Sequence, residues 1–515
     1  MNQLIWSMLT RINIQTDDAI RSFSDIQYGR IQYRDINIRW GSDGIFLSAK
    51  STAIRTLEFV FDYDLSGDGL VLGDAWERSY GELQLRQVHD VYGEVLPWYC
   101  LIDRGDYRIG LGVKTCPGAF CGWKLYSDSV TLLMNVCCGA DGVILDGREM
   151  KTAYPLLYQT DSDIFYAGKE FCVMMAEHPI FPKHPVWGYN TWLHRYDQIS
   201  EEIVMQDAAE LKKLTTSVED FPYFVIDDGW TPKHTRGPWD QIKSSFSSMH
   251  KLADNITAMR LRPGIWIRPL YYEDIGFPVD WILKSGTEQD VLLDITIPDA
   301  REYVLANFRR IRTCGYQLIK IDFTFYDMIG YWGYQLNIQH GCGQYHFHNR
   351  SKTSAEIFCE LYNDIRENIG DEICLIGCNT PSHLSVGFFE IYRSGDDTNA
   401  HVWETTKKMG VNTIAYRLMQ HGAFYSIDGD CGGFTEYSEE TWKQQSEWIR
   451  YLADSGTPLF VSGPLDSLFD EQKNFLQKCF RTNLQNCKMK PCIEPFKPIL
   501  MRYLVNDIPV EYQFI

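Results

Sequence analysis

The chain has 515 residues, which is too long for one ordinary hydrophobic core, so we expect two or three domains. Its formal net charge of −19 argues against nucleic acids and anionic membrane surfaces as partners, because binding to either needs clustered Lys and Arg. The apolar runs fall short of the roughly 18 residues of a membrane span. The first residues also lack a basic region followed by an apolar core, so we expect no secretory signal.

The cysteines and aromatic residues bear on the compartment and the ligand. Fifteen cysteines are scattered without paired CxxC spacing, which is typical of buried, mostly reduced thiols, so we expect a cytoplasmic protein. The 30 Tyr and 15 Trp exceed what hydrophobic cores need, and stacking on the apolar faces of sugars is one use for the surplus.

The first third of the chain has the pattern of short strands. Apolar and polar residues alternate over 36–40, and residues 57–61 and 131–136 form similar runs. Turn signals rich in Gly and Asp, at 66–69 and 138–142, separate these runs. Repeated strands with little helical periodicity predict an antiparallel β-sandwich, which we assign to residues 1–183.

The pattern changes after the prolines at 179, 182 and 185. Helical stretches then alternate with short apolar runs, which cover residues 186–191, 224–226, 264–267, 318–322, 373–378, 424–427 and 459–461. One predicted helix starts with a capping box at Thr353 and Glu356 and ends at Gly370. The alternation predicts a (β/α)8 barrel over residues 184–475. A doubly wound sheet is the competing architecture, although no Gly-rich phosphate loop follows any of these runs. Residues 476–515 predict a short C-terminal β region packed on the barrel.

Two carboxylate motifs stand at the ends of predicted barrel strands. Strand alternation puts Lys320 and Asp322 on one face, and a carboxylate at the C-terminal end of a barrel strand is typical of a catalytic residue. Asp227 and Asp228 precede Gly229, and the vicinal hydroxyls of a sugar are good partners for such a pair. An ordinary structural role stays open for each motif: a loop cap at Asp322 and an Asx turn at Asp227.

Two further Asp-containing motifs follow. Arg393 opens the run that contains Asp396 and Asp397, and we interpret the Asp/Gly-rich loop at 428–433 as structural. If the strand-end carboxylates meet at one mouth, they raise one another's pKa, and Lys320 and Arg393 offset part of this repulsion. Such a mixture suits glycoside hydrolysis, in which one carboxylate attacks the anomeric carbon and another protonates the leaving oxygen.

Together the motifs resemble those of glycoside hydrolase family 36, the α-galactosidases, in the clan shared with family 27. The matching stretches are Trp187-Gly188-Tyr189-Asn190, Asp227-Asp228-Gly229-Trp230, Pro263-Gly264-Ile265-Trp266, residues 318–323, Ile376-Gly377-Cys378 and residues 393–398. They occur in the family's order. The resemblance implies a retaining exo-α-galactosidase that removes terminal α-linked galactose from a carbohydrate by double displacement, without a metal or another cofactor.

The resemblance also implies a role for each matching residue. Asp322 is the expected nucleophile, and Asp397, four residues after Arg393, is the expected general acid/base, with Asp396 as its rival. The expected substrate-binding residues are Asp227, Asp228, Lys320, Arg393 and Cys378, with Trp187 and Trp266 as aromatic pocket walls. Family members also lend a tryptophan from the N-terminal sandwich, and Trp76 is the candidate here.

Two departures from the family pattern bear on the sugar. Asn379-Thr380 follows Cys378 where a second Gly is usual, and Arg268 stands just past Trp266. These changes leave N-acetylgalactosamine or another α-sugar open as the preferred glycone. An α-galactosyl transglycosylase and a non-catalytic sugar-binding protein also stay open, as does a homo-oligomeric state.

A group of His and Cys residues offers a competing interpretation. His340, Cys342, His346 and His348 have spacings that a metal site could use, but no nearby carboxylate or CxxC partner completes a recognisable ligand set. We therefore interpret the segment as a loop and expect no metal.

Overall fold

The computed structural model describes residues 6–26, 29–285, 290–336, 343–493 and 496–515. The N-terminal part consists mainly of antiparallel strands. They are β1 (Leu9–Thr16), β2 (Ile20–Phe23), β3 (Arg30–Tyr33), β4 (Ile36–Gly41), β5 (Gly44–Ser48), β6 (Ile54–Asp62), β7 (Leu70–Gly73), β8 (Arg86–Gln87), β9 (Val95–Pro97), β10 (Tyr99–Asp103), β11 (Arg108–Val113), β12 (Phe120–Leu125), β13 (Ser129–Asn135), β14 (Cys137–Cys138), β15 (Asp141–Gly142), β16 (Glu149–Ala153) and β17 (Pro155–Thr160).

Two large sheets dominate this part. One has the strand order β2-β1-β6-β13-β12-β9 and the other β17-β11-β10-β7-β8. Smaller sheets have the orders β16-β5-β4-β3 and β14-β15. Buried side chains of both large sheets, such as Phe59 and Leu132 of the first and Leu101 and Ile109 of the second, belong to one hydrophobic core. The predicted N-terminal antiparallel region is confirmed.

A helix that the sequence analysis did not predict covers one sheet. Helix α1 (Ile164–Met175) begins at Asp163, whose side chain accepts a hydrogen bond from the backbone N–H of Phe165. Its Phe171 ring packs directly on Gly110 of β11, where a Cβ atom would lie 2.7 Å from the ring. Glycine in the strand therefore lets the helix approach the sheet closely.

The barrel strands form one parallel sheet. They are β18 (Trp187–Asn190), β19 (Tyr223–Ile226), β20 (Arg262–Ile267), β24 (Leu318–Ile321), β25 (Cys374–Gly377), β26 (Ile391–Arg393), β27 (Ser426–Asp428), β28 (Cys431–Gly433) and β29 (Leu459–Ser462), with β21 (Tyr271–Glu273), β22 (Ile282–Ser285) and β23 (Asp290–Leu293) as a small separate sheet. The order is β27-β26-β25-β24-β20-β19-β18-β29-β28. Only Gly429 and Asp430 separate β27 from β28, so the two ends of the sheet meet in one broken strand. The predicted (β/α) barrel architecture is confirmed.

Helices follow the barrel strands. They are α2 (Trp192–Arg195), α3 (Glu201–Leu214), α4 (Met249–Ala258), α5 (Pro298–Thr313), α6 (Thr324–Ile329), α7 (Ser354–Ile369), α8 (Ser382–Ser385), α9 (Trp403–Thr405), a π-helical run Thr406–Val411, α10 (Asn412–Arg417), α11 (Trp442–Ser455) and α12 (Asp470–Leu484). Short 3₁₀ turns lie at Val88–Val91, His234–Arg236, Val279–Trp281, Gly333–Gln335, Leu418–Gln420 and Leu465–Ser467. Helix α7 has the predicted capping box of Thr353 and Glu356, and Gly370 ends it with φ 76°.

The C-terminal strands β30 (Met489–Ile493), β31 (Leu500–Val505) and β32 (Ile508–Gln513) form an antiparallel sheet. The sheet packs on the barrel through the rings of Tyr512 and Phe514, whose centroids lie 5.0 and 5.5 Å from that of Tyr451 in α11. The boundary that we placed after residue 475 falls inside α12. Because that helix runs unbroken to Leu484, the C-terminal β region begins later than we assigned it.

None of the helices in the described ranges is both long and apolar enough to cross a membrane. The described cysteines include free thiols at Cys100, Cys121 and Cys378, whereas Cys137 is disulfide-bonded.

Candidate active site

The strand-end residues come together because the barrel strands are parallel. Asp227 follows β19, Lys320 and Asp322 lie at the end of β24, and Arg393 ends β26. Parallel strands present their C-terminal ends at one face of a barrel. The four side chains therefore lie at the same mouth, together with Cys378 after β25.

Asp227 and Lys320 form a buried ion pair at this mouth. The ammonium Nζ of Lys320 donates to Oδ2 of Asp227 at 2.8 Å, and Nδ2 of Asn190 donates to the same oxygen at 2.8 Å. Burial disfavours the Lys320 cation, but the Asp227 charge prevails and raises the pKa of Lys320. The direct ion-pair partner of Lys320 is therefore Asp227 rather than Asp322.

The next carboxyl, Asp228, is less easily ionised. Burial raises its pKa to about 7, and the neighbouring charges of Asp227 and Asp197 add to the increase. One oxygen accepts a hydrogen bond from the Gly229 N–H at 2.7 Å. Near neutral pH this side chain can therefore donate as well as accept a hydrogen bond.

Both oxygens of Asp322 are held in place. The indole Nε1 of Trp266 donates to Oδ2 at 3.2 Å, and the backbone N–H of Phe323 donates to Oδ1 at 2.8 Å. Phe323 itself has a left-handed backbone conformation, with φ 62°. Two donors, one from β20 and one from the residue that follows Asp322, thus fix the orientation of Asp322.

Arg393 organises the carboxylates on the opposite side of the mouth. Its guanidinium lies 3.2 Å from Asp397, 3.0 Å from Asp428 and 2.8 Å from Asp430. Asp430 occupies the break between β27 and β28 and has φ 72°. The carboxylates of the Asp/Gly-rich loop at 428–433 thus orient Arg393, and the structural role that we assigned to this loop stays an interpretation.

A side chain from the N-terminal sandwich completes the site. The guanidinium of Arg78 lies 2.9 Å from Asp396 and 3.8 Å from Asp397, and it donates to the sulfur of Cys378 at 3.5 Å. Its charge also acts on Asp322. Arg78 is therefore within electrostatic reach of both proposed catalytic carboxylates.

Long-range contacts hold Arg78 in this place. The neighbouring Ser79 donates its N–H to the Ser394 carbonyl at 2.9 Å and accepts from the Asp396 N–H at 2.9 Å. Behind it, the fully buried Arg417 pairs with Asp74 at 2.7 Å and donates to backbone carbonyls of the same segment. The segment is thereby joined to the barrel loop that carries Asp396 and Asp397.

The two adjacent carboxyls have opposite electrostatic environments. For Asp397, burial opposes ionisation, but Arg78, Arg393 and Lys320 together lower its pKa. For Asp396, burial raises the pKa, and the Asp397 charge adds to the increase despite Arg78. The side chain of Asp397 is 44% exposed, whereas Asp322 is buried. Asp322 therefore lies deeper in the mouth than Asp397.

Two of the predicted aromatic residues lie away from this group. Trp187 begins β18 rather than ending it, is 0% exposed, and packs on Phe480 of α12 with ring centroids 4.9 Å apart. It sits about 10 Å of strand below Asn190, at roughly 3.3 Å per residue. Trp76 is 4% exposed and packs on Phe120 and His383, because the chain bends at 76–78 and turns Arg78 instead towards the mouth. The expected pocket-wall roles of Trp187 and Trp76 are therefore not supported.

The two places where the sequence departs from the family pattern lie in different surroundings. Asn379 and Thr380 are fully buried, so they contact no bound sugar directly. Arg268 forms a buried ion pair with Asp327 at 2.6 Å and stacks on Phe323, its guanidinium carbon 4.3 Å from the ring centroid. The positive charge of Arg268 acts on Asp322, so Arg268 can influence the part of the mouth where Asp322 lies.

The sequence analysis missed several residues of the site. Arg78 carried no local signal, because its partners Asp396 and Cys378 lie far away in the chain. Tyr196 was also missed. Its hydroxyl hydrogen-bonds His401 at 2.7 Å, and its pKa is raised mainly by burial and further by the charge of Asp397. Asn190 could have been found, since it ends the first barrel strand.

The histidine-rich segment shows no metal cluster in the part of the chain that the structure describes. His346 hydrogen-bonds Asp141 at 2.8 Å, and His348 hydrogen-bonds Asp294 at 2.9 Å. His340 and Cys342 lie outside the described residues, so the expectation of no metal stays a prediction.

Comparison with known proteins gives the fold a context. No protein-family model matches the sequence. The structure is similar to that of TtGalA, an α-galactosidase from Thermus thermophilus solved with p-nitrophenyl α-D-galactopyranoside, with 16% sequence identity, 94% of this chain and 98% of that chain covered, and a TM-score of 0.63. It is also similar to the GH36 α-galactosidase AgaA from Geobacillus stearothermophilus, with 12% identity, coverages of 96% and 71%, and a TM-score of 0.64. The chain therefore shares the fold of family 36 α-galactosidases.

Proposed function

We propose that the protein is a retaining exo-α-galactosidase. The observation that carries the proposal is the arrangement of Asp322 and Asp397: both belong to one charged group at the barrel mouth, and Arg78 acts on both. They differ in depth, since Asp322 is nearly buried and Asp397 is half exposed. This difference suits a terminal sugar bound below Asp397 with its leaving group towards solvent.

Asp322 is the proposed nucleophile. A carboxylate oxygen forms a bond to the anomeric carbon while the bond from that carbon to the glycosidic oxygen breaks. The donors from Trp266 and Phe323 hold the attacking group in one orientation, which reduces the freedom lost on reaching the transition state. The product of this step is a covalent glycosyl-enzyme.

Asp397 is the proposed general acid/base. In the first step it gives its proton to the leaving oxygen, and in the second it takes a proton from the water that attacks the anomeric carbon and releases Asp322. The cations around Asp397 lower its pKa. Its acid form is therefore a minor species near neutral pH, and we expect glycosylation to be fastest at acidic pH and to lose rate as pH rises.

Recognition of the sugar is assigned to the other side of the mouth. Asp227, Asp228 and Lys320 offer a carboxylate, a carboxyl with a pKa of about 7 and an ammonium group close together. Such a set can accept from and donate to neighbouring hydroxyls. Galactose is the proposed glycone on the strength of the motif resemblance and the shared fold, and Arg268 is the residue with which this preference can be probed.

The experiment is a panel of aryl α-glycosides of galactose, N-acetylgalactosamine, glucose and arabinopyranose. The wild-type protein should turn over the galactoside fastest, and the first-formed sugar should be the α-anomer in a proton NMR time course. The Asp322→Ala variant should lose activity by about 10³-fold or more. Asp254→Ala, at an exposed position on α4, is the matched control and should retain wild-type rates. Near-normal turnover by Asp322→Ala, or a β-anomer as first product, would reject the proposed mechanism.

A further inference from the structure

A large cavity lies at the opposite end of the barrel from Asp322 and Asp397. Its volume is about 630 Å³, within the range of small-molecule sites. It is lined by Val186, Ser426 and Pro458, which lie at the N-terminal ends of β18, β27 and β29. Helix α1 and residues 488–490 near the C-terminal sheet complete the walls, so all three regions of the chain contribute.

The lining is basic in an acidic protein. The chain has 68 Asp and Glu against 49 Lys and Arg, yet the described residues that line the cavity include four lysines and two histidines and no carboxylate. Lys183 and Lys490 pair with the exposed Glu372 and Asp507 outside the cavity. Within the described ranges, no ion pair joins Lys169 or Lys488 to a carboxylate. Two positive charges therefore face the cavity without a counter-ion.

Lys169 and His421 supply hydrogen-bond donors to the cavity. Lys169 is held by a hydrogen bond from its ammonium to the backbone carbonyl of His421. Burial lowers the pKa of Lys169, and the Lys488 charge lowers it further, as expected for a cation that lacks an anion. Burial also lowers the pKa of His421 to about 3, so its ring is neutral.

The tautomer of His421 follows from its contacts. Its Nδ1 accepts the Ile427 N–H at 3.2 Å. A neutral imidazole that accepts at Nδ1 carries its proton on Nε2. The ring therefore contributes a second type of donor to the cavity, beside the ammonium groups.

We propose that this cavity binds a small dianion of the phosphate or phosphate-monoester class. Two uncompensated lysines match the two charges of such a group, whereas a single carboxylate would balance one of them. Phe165, Tyr166 and Phe181 form the apolar side of the cavity and suit the organic body of a phosphate monoester. The site is remote from the barrel mouth, and the inference does not depend on the proposed hydrolase activity.

The test is isothermal titration calorimetry of the full chain at fixed ionic strength, with inorganic phosphate, phenyl phosphate and the neutral comparator phenol. We expect saturable binding of the two phosphates and none of phenol. Tighter binding of phenyl phosphate assigns the site to a monoester, and equal affinity assigns it to the free ion. Either result supports a phosphate-type dianion site.

Matched variants locate the binding. Lys169→Met and Lys488→Met should each weaken phosphate binding about tenfold or more, the effect of losing one charge-assisted contact. Lys213→Met, on α3 and paired with Glu210, is the control and should bind as the wild type does. Since Lys488 is exposed and lies just before β30 rather than within it, its variant should fold even if the Lys169 variant does not, which thermal unfolding checks. Absence of saturable phosphate binding, or wild-type affinity in the Lys488 variant, would overturn the proposal.

Discussion

Replacing Arg78 by methionine removes a buried cation that contacts Asp396 and lies near Asp397. Methionine keeps much of the side-chain volume but none of the charge. Because Arg78 lowers the pKa of Asp397, its loss should raise that pKa. Asp397 would then keep its proton to a higher pH, and the alkaline limb of the pH profile of kcat/KM should move upwards.

The size of the shift can be worked from the geometry. The Arg78 nitrogen and the Asp397 oxygen are 3.8 Å apart. At that separation two unit charges interact by about 1 kcal/mol in a water-like dielectric and about 4 kcal/mol at an effective dielectric of 20. The Asp397 side chain is 44% exposed, so solvent screening favours the lower end. An interaction of about 1.4 kcal/mol corresponds to about one pKa unit.

The assay is the pH dependence of kcat/KM with an unactivated α-galactoside, for which protonation of the leaving oxygen matters most. Arg86→Met, at an arginine of the N-terminal sandwich paired with Glu94, controls for the general effect of losing one positive charge. Thermal unfolding of both variants checks that the fold is kept. An alkaline limb that stays in place or moves down in the Arg78 variant would refute the assignment of Asp397 as the group that Arg78 controls.

Three further changes probe other parts of the account. Asp397→Ala should lower kcat/KM by about 10²–10⁴-fold on an unactivated galactoside and by less on an activated aryl galactoside. Equal losses on the two substrates would count against Asp397 as the general acid. Arg417→Met removes the ion-pair partner of the buried Asp74, a change that costs about 3–5 kcal/mol, so the urea midpoint should fall clearly. An unchanged midpoint would show that the pair contributes little. Trp187→Phe should lower the free energy of unfolding by about 1–2 kcal/mol through lost packing on Phe480 and leave kcat/KM unaltered. A loss of activity without a loss of stability would indicate that Trp187 belongs to the active site.

The site residues that could be identified from the sequence are those marked by a pattern among their immediate neighbours in the chain. A strand of apolar residues that ends in a charged group marks both the strand and its C-terminal end, which is why Asp227, Lys320 and Asp322 could be brought to one mouth in advance. The pocket-wall role of Trp187 came instead from the family resemblance. Its motif lies on a barrel strand, but tryptophan begins that strand and Asn190 ends it, so the two residues face opposite ends of the barrel.

The residues that were missed depend on contacts between distant parts of the chain. Arg78 reaches Cys378, 300 residues later, only because the sandwich docks against the barrel. An arginine in an irregular segment has no periodicity from which this could be deduced. Helix α1 was missed for a related reason, since it forms against Gly110 and Gly112 of the sheet, a tertiary contact that local strand patterns do not report.

The most direct test of the central claim is to trap the glycosyl-enzyme. A fluorinated α-galactoside with a slow second step should leave one galactosyl group on the protein, detected by intact mass, and the modified carboxyl should map to Asp322 after proteolysis. The Asp322→Ala variant should acquire no such group. Modification of a different carboxylate, such as Asp228 or Asp397, or turnover of the reagent without any covalent adduct, would contradict the account.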